Sequence, residues 1–264
     1  MKKLKFAHLL FCLGCIILFS ATQKRPIQIF MAGDSTMALK PLHKTVYDSI
    51  AGDSIAEPFP EKGWGQVLPE FFNNNILVLD LAQNGRSSRT FIEQGWWKKI
   101  MDNLQKGDYV VIQFGHNDSA KDRPDRYTPP ADYIANLSRF VDEVVAKGGN
   151  PIICTSVVRR RFDKNGVFQD SHGEYVDLAR QVAKDKNIPL IDMYEKSKNL
   201  VSTLGDEQSK ELYLHVKDGE NRNFPGGKID NTHFREKGAK AMAQLFIDGL
   251  KEQKIEVLTT ELKN

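Results

Sequence analysis

The stretch Ile27-Gln28-Ile29-Phe30-Met31-Ala32-Gly33-Asp34-Ser35-Thr36-Met37 decides the fold, because an apolar run long enough for one buried strand ends there at Gly33. The small polar residues after Gly33 are typical of a helix start. This arrangement puts the Ser35 hydroxyl at the carboxyl end of a strand, where open α/β sheets bind their ligands. A helix that begins just after Ser35 would direct unpaired amide groups and its positive dipole end toward that point, which favours negative charge. Ser35 is therefore a candidate nucleophile, and a helix N-cap is the alternative role for the same residue.

Strand-like and helical segments alternate along the rest of the chain. Further strands are predicted at residues 76–81, 109–114, 151–157 and 188–191. Helices are predicted at residues 65–72, 96–104, 132–146 and 174–186, with a polar helical segment at 194–214 and a last helix from 235 to about 251. Residues 215–232 are rich in Gly, Asn and Lys, which predicts a long loop of the kind that carries function. The alternation predicts a single α/β domain, residues 23–264, in which helices cover both faces of a parallel sheet.

Residues 1–22 have the pattern of a secretory signal peptide. Lys2, Lys3 and Lys5 precede an apolar run over residues 9–19, and small residues follow at 20–22. The apolar run is short for a membrane span, although an uncleaved anchor is the alternative. Lipid attachment at Cys15 is disfavoured because the apolar run continues past it. We therefore predict an exported protein, periplasmic or secreted, that has no membrane partner once the signal peptide is removed.

Charge and cysteine content give no reason to expect a nucleic acid or disulfide bonds. The chain has 37 Lys+Arg and 34 Asp+Glu residues, and removal of residues 1–22 takes away three lysines, which leaves 34 of each sign. A formally neutral chain has no electrostatic preference for nucleic acid or for an anionic membrane. Two of the three cysteines lie in the signal segment, so Cys154 remains alone in an apolar run, as expected of a buried small hydrophobic residue.

A base for Ser35 is offered by the segment Asp230-Asn231-Thr232-His233, just before the last predicted helix. A carboxylate three residues ahead of an imidazole in a turn can reach Nδ1 of the ring and fix its tautomer, which leaves Nε2 free to accept a hydroxyl proton. Taken alone, the same four residues also fit an ordinary surface turn. The requirement of Ser35 for such a pair is what favours the catalytic interpretation.

Two other segments that follow predicted strands supply hydrogen-bond donors. Gly85, in the segment 81–88, offers an unobstructed backbone N–H, and Asn117, in the segment Phe114-Gly115-His116-Asn117-Asp118, offers a side-chain amide. With the backbone amide of Ser35 they would give three donors to a developing oxyanion, which suits acyl transfer. We interpret His116 as a structural hydrogen-bonding residue near the site.

Four motifs in this order resemble the SGNH (GDSL-like) hydrolase superfamily: Gly33-Asp34-Ser35, Gly85, Gly115-His116-Asn117-Asp118 and Asp230-x-x-His233. Within the superfamily, residues 33–38, 84–91 and 114–118 are similar to rhamnogalacturonan acetylesterases. The resemblance spans nearly the whole chain after the signal segment. Ser88 and Thr90 stand where alanine and serine are commoner in those esterases.

The resemblance implies a role for each of these residues: Ser35 as the nucleophile, His233 as the general base, Asp230 as the carboxylate that orients it, and Gly85 and Asn117 as oxyanion donors alongside the Ser35 amide. It also implies a three-layer α/β/α sandwich, flavodoxin-like, around a five-stranded parallel sheet in the order 2-1-3-4-5. The implied reaction is deacetylation of an acetylated pectic polysaccharide or oligosaccharide, with no metal and no cofactor. We expect the enzyme to act as a monomer.

Three further residues are candidates for substrate binding. Arg86 and Arg89 carry guanidinium groups beside the predicted site that would suit uronate carboxylates, and Trp96 carries a ring that would stack on a sugar. Each has a structural alternative. The arginines fit solvated salt bridges equally well, and at least one of the adjacent pair Trp96 and Trp97 should pack in the core.

Three other functions stay open at this point. A lipase-like or thioesterase-like enzyme acting on a lipid or aryl ester would need a long apolar groove, whereas residues 198–228 are charged. A metal-dependent phosphoesterase would use Gly33-Asp34 and the segment at 115–118 as a carboxylate–histidine site, but His116 and Asn117 stand in the reverse of the expected order. A non-catalytic glycan-binding protein would have no use for a base and three oxyanion donors.

Overall fold

A five-stranded parallel sheet lies at the centre of the computed structural model, which describes residues 25–48 and 52–263. The predicted signal peptide, residues 1–22, lies outside the described residues. In chain order the strands are β1 (Ile27–Gly33), β2 (His43–Asp48), β3 (Asp53–Pro58), β4 (Glu61–Lys62), β5 (Ile76–Asp80), β6 (Tyr109–Gln113), β7 (Asn150–Cys154), β8 (Leu190–Ile191), β9 (Tyr213–Val216) and β10 (Lys228–Arg235). The helices are α1 (Trp64–Val67), α2 (Ser88–Glu93), α3 (Trp96–Asn103), α4 (Pro130–Ala146), α5 (Tyr175–Asp185), α6 (Met193–Ser209), α7 (Glu236–Glu252) and α8 (Glu256–Thr259), with a 3₁₀ turn at Leu68–Phe71. None of the helices in these two ranges combines the length and the apolar character that crossing a bilayer requires.

The central sheet has the strand order β5-β1-β6-β7-β8, and every neighbouring pair is parallel. Numbered in chain order among themselves, these five strands follow the order 2-1-3-4-5, so the predicted topology is confirmed. β1 lies between β5 and β6, with Ile27 opposite Ile76 and Ile29 opposite Tyr109. The turn that follows β1 therefore lies beside the carboxyl ends of two neighbouring strands.

Alternate residues of the central strands face opposite sides of the sheet and supply two separate cores. In β1, Ile29 and Met31 belong to the core that includes α1 and α7. Phe30 and Ala32 belong to the core on the other face, with α3, α4 and α5. The chain is thus the three-layer α/β/α sandwich that was predicted.

The predicted strands and helices of this sandwich are confirmed, with ends that differ by a few residues. The helix predicted at 65–72 is divided between α1 and the 3₁₀ turn, which has Pro69 in its first turn. The helix predicted at 194–214 ends at Ser209, after a kink at Gly205, where the backbone is not helical (φ +69°, ψ −177°). Of the tryptophan pair at the start of α3, Trp97 is the buried one.

Helix α2 was not predicted, because it is short and its inner side contacts the core through few residues. Its start is nevertheless encoded locally. The Ser87 hydroxyl accepts the N–H of Thr90 at 3.3 Å, and the Thr90 hydroxyl accepts the N–H of Ser87 at 2.9 Å. This reciprocal cap is the signal in the sequence that indicates the helix.

The residues after Gly33, which could have opened a helix, form a turn instead. The carbonyl of Asp34 accepts the N–H groups of Met37 at 3.2 Å and Ala38 at 3.0 Å, and the helix goes no further. Pro41 has no N–H to donate and would end any helix that reached it. The chain leaves instead in an insertion, residues 39–63, that contains the antiparallel hairpin of β2 and β3.

Helix α1 takes over the hydrogen bonds that the missing helix would have made. The N–H of Trp64 donates to the carbonyl of Thr36 at 3.0 Å, and the N–H of Gly65 donates to that of Met37 at 3.1 Å. Gly63 permits this approach, because a Cβ there would collide with the carbonyl oxygens of the Ser35 turn. α1 thus continues the turn from a distant part of the chain and holds it against the core.

The long loop predicted at 215–232 is partly wrong, because β9 and β10 form an antiparallel ribbon there. The ribbon pairs at its other edge with β4, and its register shifts between Asp230 and Phe234, which is a β-bulge. The strand pattern is hidden in the sequence because much of β10 faces solvent; Ile229, for example, is 78% exposed. Residues 217–227 remain as the connecting loop.

We expect Gly63→Ala to lower the free energy of unfolding by about 1–3 kcal/mol, the usual cost of forcing an extra methyl group into a packed site. The new Cβ would press on the backbone carbonyls that α1 uses to hold the Ser35 turn. Denaturant unfolding measures the change. Gly226→Ala is the matched control, since its Cβ would meet no atom within 4 Å. Equal stability of the two variants would contradict the close approach at Gly63.

Candidate active site

The turn after β1 presents Ser35 as a partly exposed residue between buried neighbours. Asp34 is fully buried, and its Oδ1 accepts both the N–H and the hydroxyl of Thr36, at 2.9 and 2.8 Å. The Thr36 hydroxyl in turn accepts Gln113 Nε2 at 3.0 Å. Because Gln113 is the last residue of β6, these bonds fix the turn to the carboxyl end of the sheet.

The second carboxylate oxygen of Asp34 lies 3.2 Å from Nδ1 of His116. Burial lowers the pKa of His116, so the ring is neutral and its Nδ1–H donates to the carboxylate. Burial alone would raise the pKa of Asp34, but the contact with His116 and the hydrogen bonds from Thr36 hold it below its ordinary value. Arg159 Nη2 donates to the His116 carbonyl at 2.9 Å. His116 therefore supports the nucleophile turn rather than facing Ser35 as a second base.

The imidazole of His233 joins Ser35 to Asp230. Its Nε2 lies 2.8 Å from Ser35 Oγ, and its Nδ1 lies 2.9 Å from Asp230 Oδ2. The other oxygen of Asp230 accepts the backbone N–H groups of Thr232 and His233 at 2.9 and 3.0 Å. One carboxylate thus orients the ring and fixes the backbone that carries it, which leaves Nε2 free to accept the serine proton.

Asp230 and His233 lie in the bulge of β10, whereas the sequence predicted a turn before the last helix. Residues three apart in a regular strand point to opposite faces, so the bulge is what lets the two side chains meet. Burial raises the pKa of Asp230, but the hydrogen bonds from His233 and the two backbone N–H groups outweigh burial and hold the pKa well below its usual range. Asp230 is therefore ionised at neutral pH.

Two backbone N–H groups at the site, those of Ser35 and Gly85, have no hydrogen-bond partner within the described part of the chain. Gly85 has a φ of +73°, in the left-handed region that favours glycine. Its loop is attached to the end of β1, because Gln83 N–H donates to the carbonyl of Gly33 at 2.9 Å. Free N–H groups beside a nucleophile are what an oxyanion hole requires.

The side-chain amide of Asn117 lies in the same pocket as Ser35 and Gly85. Its Nδ2 donates one hydrogen to the carbonyl of Arg86 at 2.8 Å, and its Oδ1 faces Arg126 Nη1 at 3.4 Å. Because an amide nitrogen carries two hydrogens, one is left for a ligand. The structure therefore brings together all the residues that the motifs predicted for the triad and the oxyanion hole.

Asp118 anchors the Asn117 loop to the start of α2. Its Oδ1 accepts the N–H and the hydroxyl of Ser88, at 2.9 and 2.6 Å, and the same hydroxyl accepts Asn136 Nδ2 at 3.1 Å. Burial raises the pKa of Asp118 to about 6 in spite of these bonds. Ser88, where alanine is commoner in the related esterases, thus makes two contacts that alanine could not make.

The site opens into a pocket of about 820 Å³ whose walls are strongly charged. The cationic side chains that line it are Lys40, Lys44, Arg86, Arg126 and Arg159. Lys40 pairs with Glu61 at 2.6 Å, and Arg126 pairs with Asp125 at 3.1 Å. Among the described residues, the other three have no carboxylate partner. Sequence reasoning missed the lining residues of the insertion, because no motif marks where an insertion folds back.

Two of the three residues proposed to bind substrate lie away from this pocket. The guanidinium of Arg89 donates to backbone carbonyls within residues 124–127 and pairs with Glu93 at 3.0 Å. It therefore fixes a loop. Trp96, the first residue of α3, is partly buried against the core on that face of the sheet, with the Lys99 ammonium 3.7 Å from its ring centre. Arg89 and Trp96 therefore have structural roles, as the alternatives for these residues stated. Of the three candidates, Arg86 is the one that lines the pocket.

The described residues form no metal-binding cluster, and their one cysteine, Cys154, is buried. Within residues 25–48 and 52–263, no three or more His, Cys, Asp or Glu side chains are grouped so as to hold a metal ion. Cys154 is buried, and burial raises the pKa of its thiol above the ordinary value. It is the small buried residue that the sequence predicted.

Comparison with known proteins agrees with this geometry. The GDSL-like lipase/acylhydrolase family model matches residues 50–241. The chain belongs to this family. The match begins between β2 and β3, beyond the Ser35 turn, so the insertion separates the nucleophile from the part of the chain that the family model covers.

Individual relatives extend the comparison to nearly the whole chain. The chain is 39% identical over 229 residues to the rhamnogalacturonan acetylesterase RhgT of Bacillus subtilis, which covers 87% of this chain and 91% of that protein. The solved structure of YxiM from Bacillus subtilis matches 87% of this chain with a TM-score of 0.70 and 26% identity, although this chain spans 57% of that one. The acetylxylan esterase Axe2 of Geobacillus stearothermophilus matches 86% of this chain and 94% of its own, with a TM-score of 0.58 and 16% identity, and supports the fold alone. The family resemblance predicted from the four motifs is confirmed.

We expect Asn117→Ala to lower kcat for ester hydrolysis by about 10²–10³ with little change in KM, because an oxyanion donor acts mainly in the transition state. Initial rates with 4-nitrophenyl acetate, which needs no sugar recognition, give both constants. Asn117→Asp is the size-matched control: it keeps the shape but offers no N–H, so it should lose as much. Retention of wild-type kcat by either variant would remove Asn117 from the oxyanion hole.

Proposed function

We propose that the protein is a carbohydrate esterase that removes O-acetyl groups from an acidic plant cell-wall polysaccharide of the rhamnogalacturonan type, through an acetyl-serine intermediate. The observation that carries the proposal is the hydrogen-bonded series Ser35, His233 and Asp230 beside the free N–H groups of Ser35 and Gly85. The 39% identity to a rhamnogalacturonan acetylesterase supports the choice of acyl group and substrate.

The reaction follows from the positions of these groups. His233 Nε2 takes the proton of Ser35 as its oxygen attacks the acetyl carbonyl, and the resulting oxyanion receives hydrogen bonds from Ser35, Gly85 and Asn117. The tetrahedral intermediate then expels the sugar oxygen, to which His233 returns the proton. Water then attacks the acetyl carbon of acetyl-Ser35 while His233 Nε2 takes one of its protons. The second tetrahedral intermediate breaks the bond between the acetyl carbon and Ser35 Oγ, His233 returns the proton to Ser35 Oγ, and acetate leaves. Asp230 stays ionised and stabilises the imidazolium at both steps.

The pocket walls favour a sugar ester over a lipid ester. Pro41 and Phe59 are the apolar side chains among the lining residues, and the remainder are charged, polar or glycine. A long acyl chain would bury its methylene groups against ionised side chains there, whereas an acetyl group has none to bury. This composition argues against the lipase-like alternative.

The charges of the pocket favour an acidic sugar chain over a neutral one. Lys44 places its ammonium 3.8 Å from the ring centre of Phe59, and Arg86 is held by the neutral oxygens of Gln94 and Asn84, at 2.7 Å each. Neither cation is neutralised by a carboxylate of the described chain. A uronate carboxylate next to the acetylated sugar would supply the missing negative charge.

Two assays test this function. The first measures acetate release from acetylated pectin and acetylated xylan, and the second measures 4-nitrophenol release from 4-nitrophenyl esters of increasing acyl chain length. We expect the highest kcat/KM on the pectic substrate and a steep loss for acyl chains longer than about four carbons, since Pro41 and Phe59 are the apolar side chains among the lining residues. Ser35→Ala should reduce every activity by about 10³ or more, because removal of the nucleophile leaves only the binding contribution. Residual activity of that variant above a few per cent, or a preference for long acyl chains, would reject the proposal.

Charge recognition has its own test. Lys44→Met should raise KM for acetylated pectin by roughly 5–10-fold, about 1–1.4 kcal/mol, and lose several-fold less on neutral acetylated xylan. The difference between substrates should shrink at high ionic strength, because salt screens partly exposed charges. Arg139→Gln, which removes an exposed arginine from α4, is the control for net charge. Equal losses on both polysaccharides would argue against a carboxylate site.

We also propose that the protein is exported, with residues 1–22 removed as a signal peptide. The basic start, short apolar run and small residues of this segment support the proposal. An extracellular polysaccharide substrate is consistent with it. The N-terminal sequence of the protein recovered outside the cytoplasm would identify the cleavage site.

A further inference from the structure

We propose that Lys40 is a positioning residue that fixes the oxyanion donor Gly85 through the side chain of Asn84. This inference rests on the proposed serine esterase function. Lys40 belongs to none of the four motifs, and it lies at the start of the insertion that leaves the Ser35 turn. What distinguishes it from the other cations of the pocket is the combination of deep burial and two polar partners from separate parts of the chain.

The ammonium group of Lys40 is built into the wall of the pocket. Its side chain is 3% exposed, and its Nζ lies 2.6 Å from Glu61 Oε1 and hydrogen-bonds to Asn84 Oδ1. The backbone of Lys40 is also fixed, because the side-chain amide of Gln66 accepts its N–H and donates to its carbonyl, both at 3.1 Å. A buried lysine is tolerated when its charge is compensated, and Glu61 compensates it here, while Asn84 accepts a second of the three ammonium N–H donors.

Lys40 also has a carboxyl group close by that is not an ion-pair partner. Burial raises the pKa of Asp80 to about 8, despite a hydrogen bond from the N–H of Ala82 and the charge of Lys40. Among the described residues Lys40 forms no ion pair with Asp80, so its ammonium is left to Glu61 and Asn84. The single strong ion pair with Glu61 anchors the ammonium, and the contact with Asn84 is the one that reaches toward the reacting groups.

Asn84 is the residue whose carbonyl shares a peptide plane with the N–H of Gly85. Because that plane is rigid and trans, the direction of the Asn84 carbonyl sets the direction of the Gly85 N–H. Arg86 Nη1 donates to this carbonyl at 2.7 Å, and Lys40 holds the side chain of the same residue. Two cations thus fix Asn84 from two points. Without them the Gly85 peptide would be free to rotate, since glycine has few steric limits.

Lys40 is not placed to bind substrate as Lys44 is. Its ammonium has two partners and almost no exposed surface, whereas within residues 25–48 and 52–263 the Lys44 ammonium contacts the face of Phe59 and no carboxylate. The effect of Lys40 is therefore expected in the chemical step and should not depend on the charge of the substrate. A loss confined to KM for acidic polysaccharides would instead identify Lys40 as a carboxylate-binding residue.

Kinetics of Lys40→Met test the inference on both 4-nitrophenyl acetate and acetylated pectin. We expect kcat to fall by about 10–100-fold on each substrate with KM within about twofold, since a displaced donor weakens the transition state and not the ground state. Lys196→Met is the matched control, because Lys196 forms a partly buried pair with Glu252 at 2.5 Å and does not line the pocket. An equal loss of kcat in that variant, or none in Lys40→Met, would overturn the inference.

Variants of Asn84 separate positioning from a general loss of structure. Asn84→Ala should reproduce the loss of kcat, and the double variant with Lys40→Met should be no worse than the poorer single variant, because both remove the same contact. Asn84→Asp keeps an acceptor for the ammonium and should retain most of the activity. If the fold-losses of kcat in the two single variants multiplied in the double variant, the two residues would act independently, and the inference would be rejected. If Ser35→Ala were still active, the proposed function itself would fail, whatever Lys40 does.

Discussion

The hydrogen bond between His233 Nε2 and Ser35 Oγ, 2.8 Å long, joins residues that are 198 positions apart in the chain, and the rest of the structure holds its two ends in place. At each end of this hydrogen bond, a carboxylate holds the reacting residue in position. Asp34 is buried behind the serine and binds the turn through Thr36 and His116, whereas Asp230 binds the imidazole and two backbone N–H groups. Because neither contact relies on the other, the serine and the imidazole are positioned independently, and only a proton has to move between them.

The insertion at residues 39–63 adds lining residues to a pocket whose reacting groups lie at the edge of the sheet. It interrupts the helix after the nucleophile, yet α1 restores the interrupted hydrogen bonds, so the turn loses no support. The inserted chain then lies beside the loop at 217–227: the side-chain amides of Asn221 and Asn223 both donate to the Pro58 carbonyl at 3.0 Å, and Phe59 contacts Phe224 with ring centres 5.8 Å apart. The loop thus supports the inserted segment, and that segment supplies the pocket wall with Lys40, Pro41, Lys44, Phe59 and Glu61. Such a wall can vary in sequence while the sheet edge carries the chemistry.

The sequence predicts the sandwich well, because the alternation of strands and helices is a short-range pattern. The residues that meet at the site were indicated by the family resemblance of four motifs rather than by any one of them. Apolar runs with helical segments between them specify the sheet, and polar residues directly after a strand can only lie at its carboxyl edge. The failures have a common cause. The helix after Ser35 is completed by a segment nearly thirty residues further on, and the β9–β10 ribbon is defined by pairing rather than by apolar periodicity. The same holds for Arg89 and Trp96, whose side chains find partners that no local pattern could reveal.

The cations of the pocket fall into two groups, those paired within the protein and those without an internal ion pair. Burial determines which group a cation belongs to. A deeply buried ammonium such as that of Lys40 must be paired within the protein, because the cost of an unpaired charge there would exceed any gain from occasional contact with a substrate. An exposed cation such as Lys44 keeps its hydration and can stay unpaired at little cost until a carboxylate binds. Arg86 combines both situations: one edge of its guanidinium holds the Asn84 carbonyl and Gln94, and its remaining Nη2 donors are left for the pocket. A substrate carboxylate bound there would lie one residue from the oxyanion donor Gly85, so recognition of an acidic sugar and alignment of the ester carbonyl would share the same short loop.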